Sequence, residues 1–357
     1  MSTSKINARF AYNNYIDAAT FQTTASKTGY PNTNLLSGIR SKLWKPENLF
    51  EVQEKNCKVY INGTEYTIPQ GSYSSAALIT AFNAISGIGA TLSQGDTGFS
   101  ISFATSKTLN LSNQTNAAWE LFGFLSQADK TGLAIAADEY RANSGAWLKI
   151  DLGLPQFVDF AALLTTSGDA FLSNTATIRL QGNNLDLWNE SLPVDLELDV
   201  SDEGAFFAGE VTQPCRFWRL LIEDKTNDDL QIAVAYIGSA VICTNTNVAT
   251  GFTRSREDTS VKLVSENGTF YIDRRPKVLS LSSISVQLLR ADELLEMEQL
   301  FYDLGIEKPF FLCIDPKKQV STKLSQMTHY VSATNPLQLQ HVLRDYYNLS
   351  IELREVI

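Results

Sequence analysis

The sequence is poor in the residues that most often carry chemistry or cross-links. Only two histidines occur in 357 residues, His329 and His341, and there is no G-x-S-x-G elbow, H-E-x-x-H pair or phosphate-binding glycine loop. Nucleophile–base catalysis therefore has no motif to rest on, and His329 is expected as a surface or interface residue. The four cysteines, Cys57, Cys215, Cys243 and Cys313, are scattered without a C-x-x-C pair. That spacing argues against a zinc site and a disulfide framework, and predicts small buried side chains in a chain made in a reducing compartment. Met1–Phe10 has no apolar stretch and does not read as a secretory signal. The longest apolar run, Ile232–Cys243, is interrupted by Gly238 and Ser239 and falls short of the roughly 20 residues a membrane helix needs, so a soluble chain is expected. Cations are outnumbered, with 29 Lys and Arg against 39 Asp and Glu, for a net charge of -10. Bulk electrostatics then oppose general nucleic-acid binding. No period of 20–50 residues is present, which excludes a repeat solenoid.

What remains is ordinary globular material. Hydrophobic residues make up 44% and charged residues 19% of the chain, and its length suggests two or three domains. Charge is unevenly spread: residues 1–50 carry net +4, 51–145 net -3, 146–250 net -10 and 251–357 net -1. Seven acids fall between Asp186 and Glu203. They read as a solvated loop or strand face, with an oxygen-rich calcium loop as the alternative, although EF-hand spacing is absent. No metal or cofactor is expected.

Local patterns place the elements. Thr20–Asn48 reads as extended backbone with turns, ending at Leu43-Trp44-Lys45-Pro46, where Trp44 is a core anchor. Lys58–Ile61, Asn62-Gly63 and Thr64–Ile68 form a hairpin signal, because Asn-Gly supplies the positive φ angles of a type I′ turn. Ser72–Ile85 spaces Leu78, Phe82 and Ile85 as on a helix behind capping serines. Ala90–Leu92, Phe99–Phe103 and Thr108–Leu111 alternate as strands, and Ala117–Phe124 reads as a brief helix closing at Gly123. Strands are expected at Trp147–Gly153, Phe157–Thr165, Thr177–Gly182, Cys215–Glu223 and Gln231–Cys243, the pattern of a β-sandwich. Beyond residue 250, strands are expected at Ser260–Val264, Thr269–Asp273, Val278–Leu289, Phe310–Ile314 and Tyr347–Ile357. The first two are joined by Glu266-Asn267-Gly268, and a helix covers Asp292–Leu304.

The central pieces resemble a known family. Trp147-Leu148-Lys149-Ile150-Asp151-Leu152-Gly153, then Cys215-Arg216-Phe217-Trp218-Arg219-Leu220-Leu221-Ile222, then Ala235-Tyr236-Ile237-Gly238 are similar to the discoidin-type, galactose-binding-like β-sandwich. The resemblance implies a mainly β chain in which 1–49 and 146–250 form the sandwich and 51–140 is an inserted small α+β interaction module. Residues 251–357 would be a C-terminal β domain with one packed helix. It also implies structural roles for Trp44, Trp147, Asp151, Trp218 and Arg219, with the arginine paired to a carboxylate for which Asp151 is the candidate. The insert and the C-terminal strands, including Lys308–Pro316, resemble phage tail-tip proteins of the distal-tail or baseplate type.

The implied function is that of a non-enzymatic virion component, assembled in the host cytoplasm from copies of itself and other phage tail proteins. Arg254, Arg256, Arg274 and Arg275 are candidate assembly residues that could meet an acidic neighbour. The alternative is a carbohydrate-binding module contacting a host surface glycan, with Tyr140 and Trp188 as candidate sugar contacts. A glycan hydrolase would need a carboxylate pair that nothing in the sequence selects.

Overall fold

The computed structural model describes residues 7–112, 114–126, 128–165, 172–173, 175–188, 191–201, 204–242, 248–249, 252–267, 269–275, 277–316 and 324–356. Cys243 and the turn residue Gly268 lie outside them. The fold is mainly β, built from antiparallel sheets. It divides into two compact units: Met1–Lys45, Trp147–Leu221 and Gln231–Ile357 make the first, and Pro46–Ala146 with Ile222–Leu230 make the second.

The first unit is organised by a long sheet. Its strands run in the order Asp199–Ser201, Gly204–Ala208, Phe160–Leu164, Val234–Ile242, Arg9–Asn14, Phe310–Cys313, Thr328–Ala333, Tyr346–Glu355, Lys277–Arg290 and Thr253–Asp258, with Gln338–Leu343 also paired to Tyr346–Glu355. Arg9–Asn14 is the joint: Phe10 pairs with Val241 on one side and Leu312 on the other. Strands before and after residue 250 therefore share one sheet and one compact unit, because the N-terminal strand supplies hydrogen bonds to both. Phe310–Cys313 is buried on both faces, which explains its unbroken apolar run. Phe310 and Leu312 pack with Phe10 and with Met297, Leu300 and Phe301 of the helix Ala291–Leu304. Phe311 and Cys313 pack instead with Phe160, Tyr236 and Tyr330.

A five-stranded sheet completes this unit, in the order Val194–Glu197, Thr177–Asn183, Cys215–Glu223, Ala146–Gln156, Thr20–Thr23. Trp44 and Trp218 are fully buried, with the Trp44 indole N–H donating to Ser26 Oγ at 3.1 Å. Gly238 is required by close approach: a Cβ there would lie 2.0 Å from the Asn13 carbonyl oxygen across the Arg9–Asn14 pairing.

The second unit follows its local signals closely. Lys58–Ile61 pairs with Thr64–Thr67, and Asn62 and Gly63 take φ of 49° and 75°, as a type I′ turn requires. The helix Ser75–Asn83 is capped by the Ser74 hydroxyl accepting from the Ala77 N–H, and it buries Leu78 and Phe82. Phe99–Phe103 and Thr108–Leu109 belong to one strand, Gly98–Leu109, to which Lys130–Ala136 adds an edge. Trp119–Phe122 forms a 3-10 turn ended by Gly123 in the left-handed region. Phe50, Phe82, Phe99 and Phe122 meet edge-to-face in the core. Cys57, Cys215 and Cys313 are free and buried.

Candidate functional site

The five-stranded sheet presents a polar outer face. On Ala146–Gln156 the alternation sends Ala146, Leu148 and Ile150 inward, leaving Trp147, Lys149 and Asp151 part-exposed on the other side. Trp147 therefore stands beside the Lys149 ammonium, 5.6 Å from its ring, rather than in the core. Asp151 is held by a bidentate arginine, but that arginine is Arg216: its Nε and one terminal nitrogen each donate at 2.8 Å to the carboxylate. This pair, with the Gly153 N–H, holds the Asp151 carboxyl down at about 2.

Arg219, the residue the family resemblance pairs with Asp151, takes other partners. Its Nε donates to Gln181 Oε1 at 2.9 Å, and its guanidinium lies 4.3 Å from the Trp188 ring centroid. Asp195 accepts from Gln181 at 3.2 Å and from Arg179 at 2.7 Å. Asp186 accepts from the Trp188 indole N–H at 2.7 Å and from Lys149 at 2.6 Å. Burial works against ionisation of Asp186, yet those two donors outweigh it and lower its pKa.

The result is a chain of contacts from Lys149 through Asp186, Trp188, Arg219, Gln181 and Asp195 to Arg179, beside the Asp151–Arg216 pair, with one face of the Trp188 ring taken by Arg219. Tyr140 belongs to the other compact unit, so the two candidate sugar contacts are not brought together within either one. Gln181 and Asp195 escape a sequence reading because their partners lie on other strands, and the Lys149 partner of Asp186 is likewise distant in sequence.

The four candidate assembly arginines separate into two pairs. Arg254 and Arg256 sit on the edge strand Thr253–Asp258 opposite Leu281 and Leu279, two residues apart and hence on one face. They line a concave cavity of about 280 Å³. Arg274 and Arg275 are exposed after the strand Phe270–Asp273, where Arg275 pairs with Asp273 at 2.9 Å.

That strand belongs to the most conspicuous surface feature. Val261–Val264 and Phe270–Asp273 form a two-stranded ribbon in which Val261 opposes Asp273 and Val264 opposes Phe270. Every residue of both strands is exposed. Alternation puts Val261, Leu263 and Tyr271 on one face and Val264, Phe270 and Ile272 on the other, so both faces are apolar. Phe270 is 70% exposed, Tyr271 60% and Leu263 59%. A two-stranded ribbon is marginal alone in water, and clustered exposed apolar residues mark contact surfaces. The signal in the sequence is that Val-Lys-Leu-Val and Phe-Tyr-Ile lack a polar side, as strands covered on both faces do.

The histidines fit no shared site. His329 is buried in the strand Thr328–Ala333 rather than at the surface, because that strand lies inside the long sheet between Phe310–Cys313 and Tyr346–Glu355. Burial, with Arg254 and Arg256 nearby, pushes its pKa down to about 4, so it is neutral at physiological pH. His341 is exposed and stacks on Tyr347. Among the described residues there is no group of three His, Cys, Asp or Glu side chains placed to hold a metal ion, and no helix long and apolar enough to cross a membrane. No protein-family model, curated protein or solved structure matches the chain.

Proposed function

We propose that the chain is a non-enzymatic structural component of a phage tail tip or baseplate, which assembles in a ring with copies of itself and connects neighbouring tail proteins. The observation that carries the reading is the Val261–Val264/Phe270–Asp273 ribbon, whose two apolar faces are uncovered in the single chain. Its occupant in this reading is a second copy. The ribbon and its flanks, residues 258–277, carry Lys262, Arg274, Arg275 and Lys277 against Asp258, Glu266 and Asp273, net +1, with Arg275 already paired to Asp273, while residues 146–250 of every copy carry net -10. Opposite charge would set the register of the contact and apolar burial its strength. Heterologous contacts of this kind close into rings when the rotation permits.

The presence in the first unit of a five-stranded antiparallel sheet beside the long sheet that holds Phe160–Leu164 and Val234–Ile242 supports reading that part as a galactose-binding-like sandwich. Pro46–Ala146 lies in sequence between its segments, as an inserted module would. Fold likeness alone does not assign sugar binding. The capping of Trp188 by Arg219 favours architecture over a stacking platform for a host glycan.

The test is sedimentation velocity of the purified chain over a concentration series. A closed oligomer of fixed stoichiometry supports the reading, and a monomer at every concentration overturns it.

A further inference from the structure

The cavity beside the edge strand Thr253–Asp258 has a charge opposite to that of the chain as a whole. Among the described residues its lining includes three arginines, Arg40, Arg254 and Arg256, against one carboxylate, Glu355. Glu355 is already engaged, accepting the Leu279 N–H at 3.0 Å. Arg40 is only 3% exposed, and its terminal nitrogens are fixed by the carbonyls of Thr165 at 3.1 Å and Val356 at 3.3 Å. Arg254 is steadied by a 3.3 Å bond to the Gln326 carbonyl, while Arg256 is exposed on the same face of its strand. Successive same-face residues on a strand stand about 7 Å apart, a spacing that lets two guanidiniums converge on one group.

A second, independent observation comes from His329, which also lines the cavity. It is 93% buried by complement of its 7% exposure, and its Nε2 has no hydrogen-bond partner among the described residues. Buried polar atoms are rarely left this way, since an unmade bond costs about 1–3 kcal/mol. Burial first, and then the positive charge of Arg254 and Arg256, holds the His329 ring in its neutral form. The hydroxyl residues Ser201, Ser325 and Thr328 complete a lining rich in donors.

We propose that this cavity binds an oxyanion, a phosphate or carboxylate group gripped by the guanidiniums of Arg254 and Arg256 beside Arg40. Planar arginine forks match both groups bidentately, which lysine does not. The group could belong to a free small molecule or to an acidic side chain of a second copy, and the chemistry at the site is the same.

Calorimetric titration of the full chain with inorganic phosphate and, separately, malonate, at ionic strength fixed with chloride, tests the site. Saturable binding in the about millimolar range or tighter is expected, weakened about tenfold or more in Arg254→Ala and in Arg256→Ala. Arg256→Lys, which keeps the charge, should fall between wild type and Arg256→Ala. Absence of saturable binding by either anion, or equal binding by an Arg254→Ala/Arg256→Ala variant with wild-type thermal unfolding, overturns the proposal. Once binding is seen, sedimentation with saturating phosphate identifies the source. Dissociation of an oligomer supports a carboxylate of a second copy, and an unchanged oligomer or a monomer supports a free ligand.

Discussion

Replacing Phe270 by Ser removes the most exposed large side chain of the apolar ribbon while leaving the fold of the single chain alone. A phenylalanine buries on the order of 200 Å² when fully covered, and Phe270 is 70% exposed, so about 140 Å² remains to be covered by a partner. At about 25 cal/mol per Å² this amounts to roughly 3 kcal/mol per contact, or about two orders of magnitude in each association constant. Part of that is lost to ordering at the interface, so the expected effect is about tenfold or more. The stability of the isolated chain should change by no more than about 0.5 kcal/mol, because the side chain is in water there. Sedimentation velocity reads the first quantity and chemical denaturation the second. Phe270→Ser assembling at the same concentration as wild type would refute the reasoning. So would a large loss of stability with unchanged assembly, which would mean that the ribbon packs on its own chain.

Three further outcomes follow from the structure. Burial raises the Asp159 carboxyl to about 6, opposed by Arg9 at 3.9 Å, so the folded state holds this proton more tightly than the unfolded chain. Its stability contribution is then full below the unfolded carboxylate value and lost as pH rises through about 6. The stability of wild type minus that of Asp159→Asn should accordingly fall by about 2–3 kcal/mol between pH 4 and pH 7, measured by denaturant unfolding; a flat difference would contradict the burial argument. Gly238→Ala places a methyl group against the Asn13 carbonyl and should cost about 3 kcal/mol or more, seen as a lowered Tm, with a wild-type Tm counting against the close pairing of these strands. Asp151→Asn breaks a half-exposed ion pair and should cost no more than about 1 kcal/mol by the same assay; a much larger loss would show that the pair supports the sandwich from within.

The elements read correctly from sequence are those whose signals are local. Asn62-Gly63 dictates its own turn, Ser74 caps its own helix, and Gly123 and Gly305 end theirs. The strand Arg9–Asn14 carries no such signal, because its place between Val241 and Leu312 is decided by partners more than 200 residues away. Thr328–Ala333 is missed for a related reason: His329 and Thr328 look like surface residues, and only the strands on either side bury them. The short strands Asp199–Ser201 and Gly204–Ala208 are hidden at the end of the acidic stretch.

At the candidate site the residue types were legible and the pairings were not. Arg216 and Arg219 differ by three positions, so strict alternation would put them on opposite faces; the strand breaks that alternation at Arg216-Phe217, which both lie part-exposed, and Arg216 meets Asp151 while Arg219 covers Trp188. The strands Val261–Val264 and Phe270–Asp273 were also legible. Their exposure was not, because an apolar run on both faces reads the same whether the cover comes from the chain itself or from a partner.

The central claim is a place in a virion, and gold-conjugated antibody against the chain, imaged on purified phage particles from the producing culture by negative-stain electron microscopy, tests it most directly. The account predicts gold confined to the tail tip. Unlabelled particles, with the protein recovered free in solution, would contradict it.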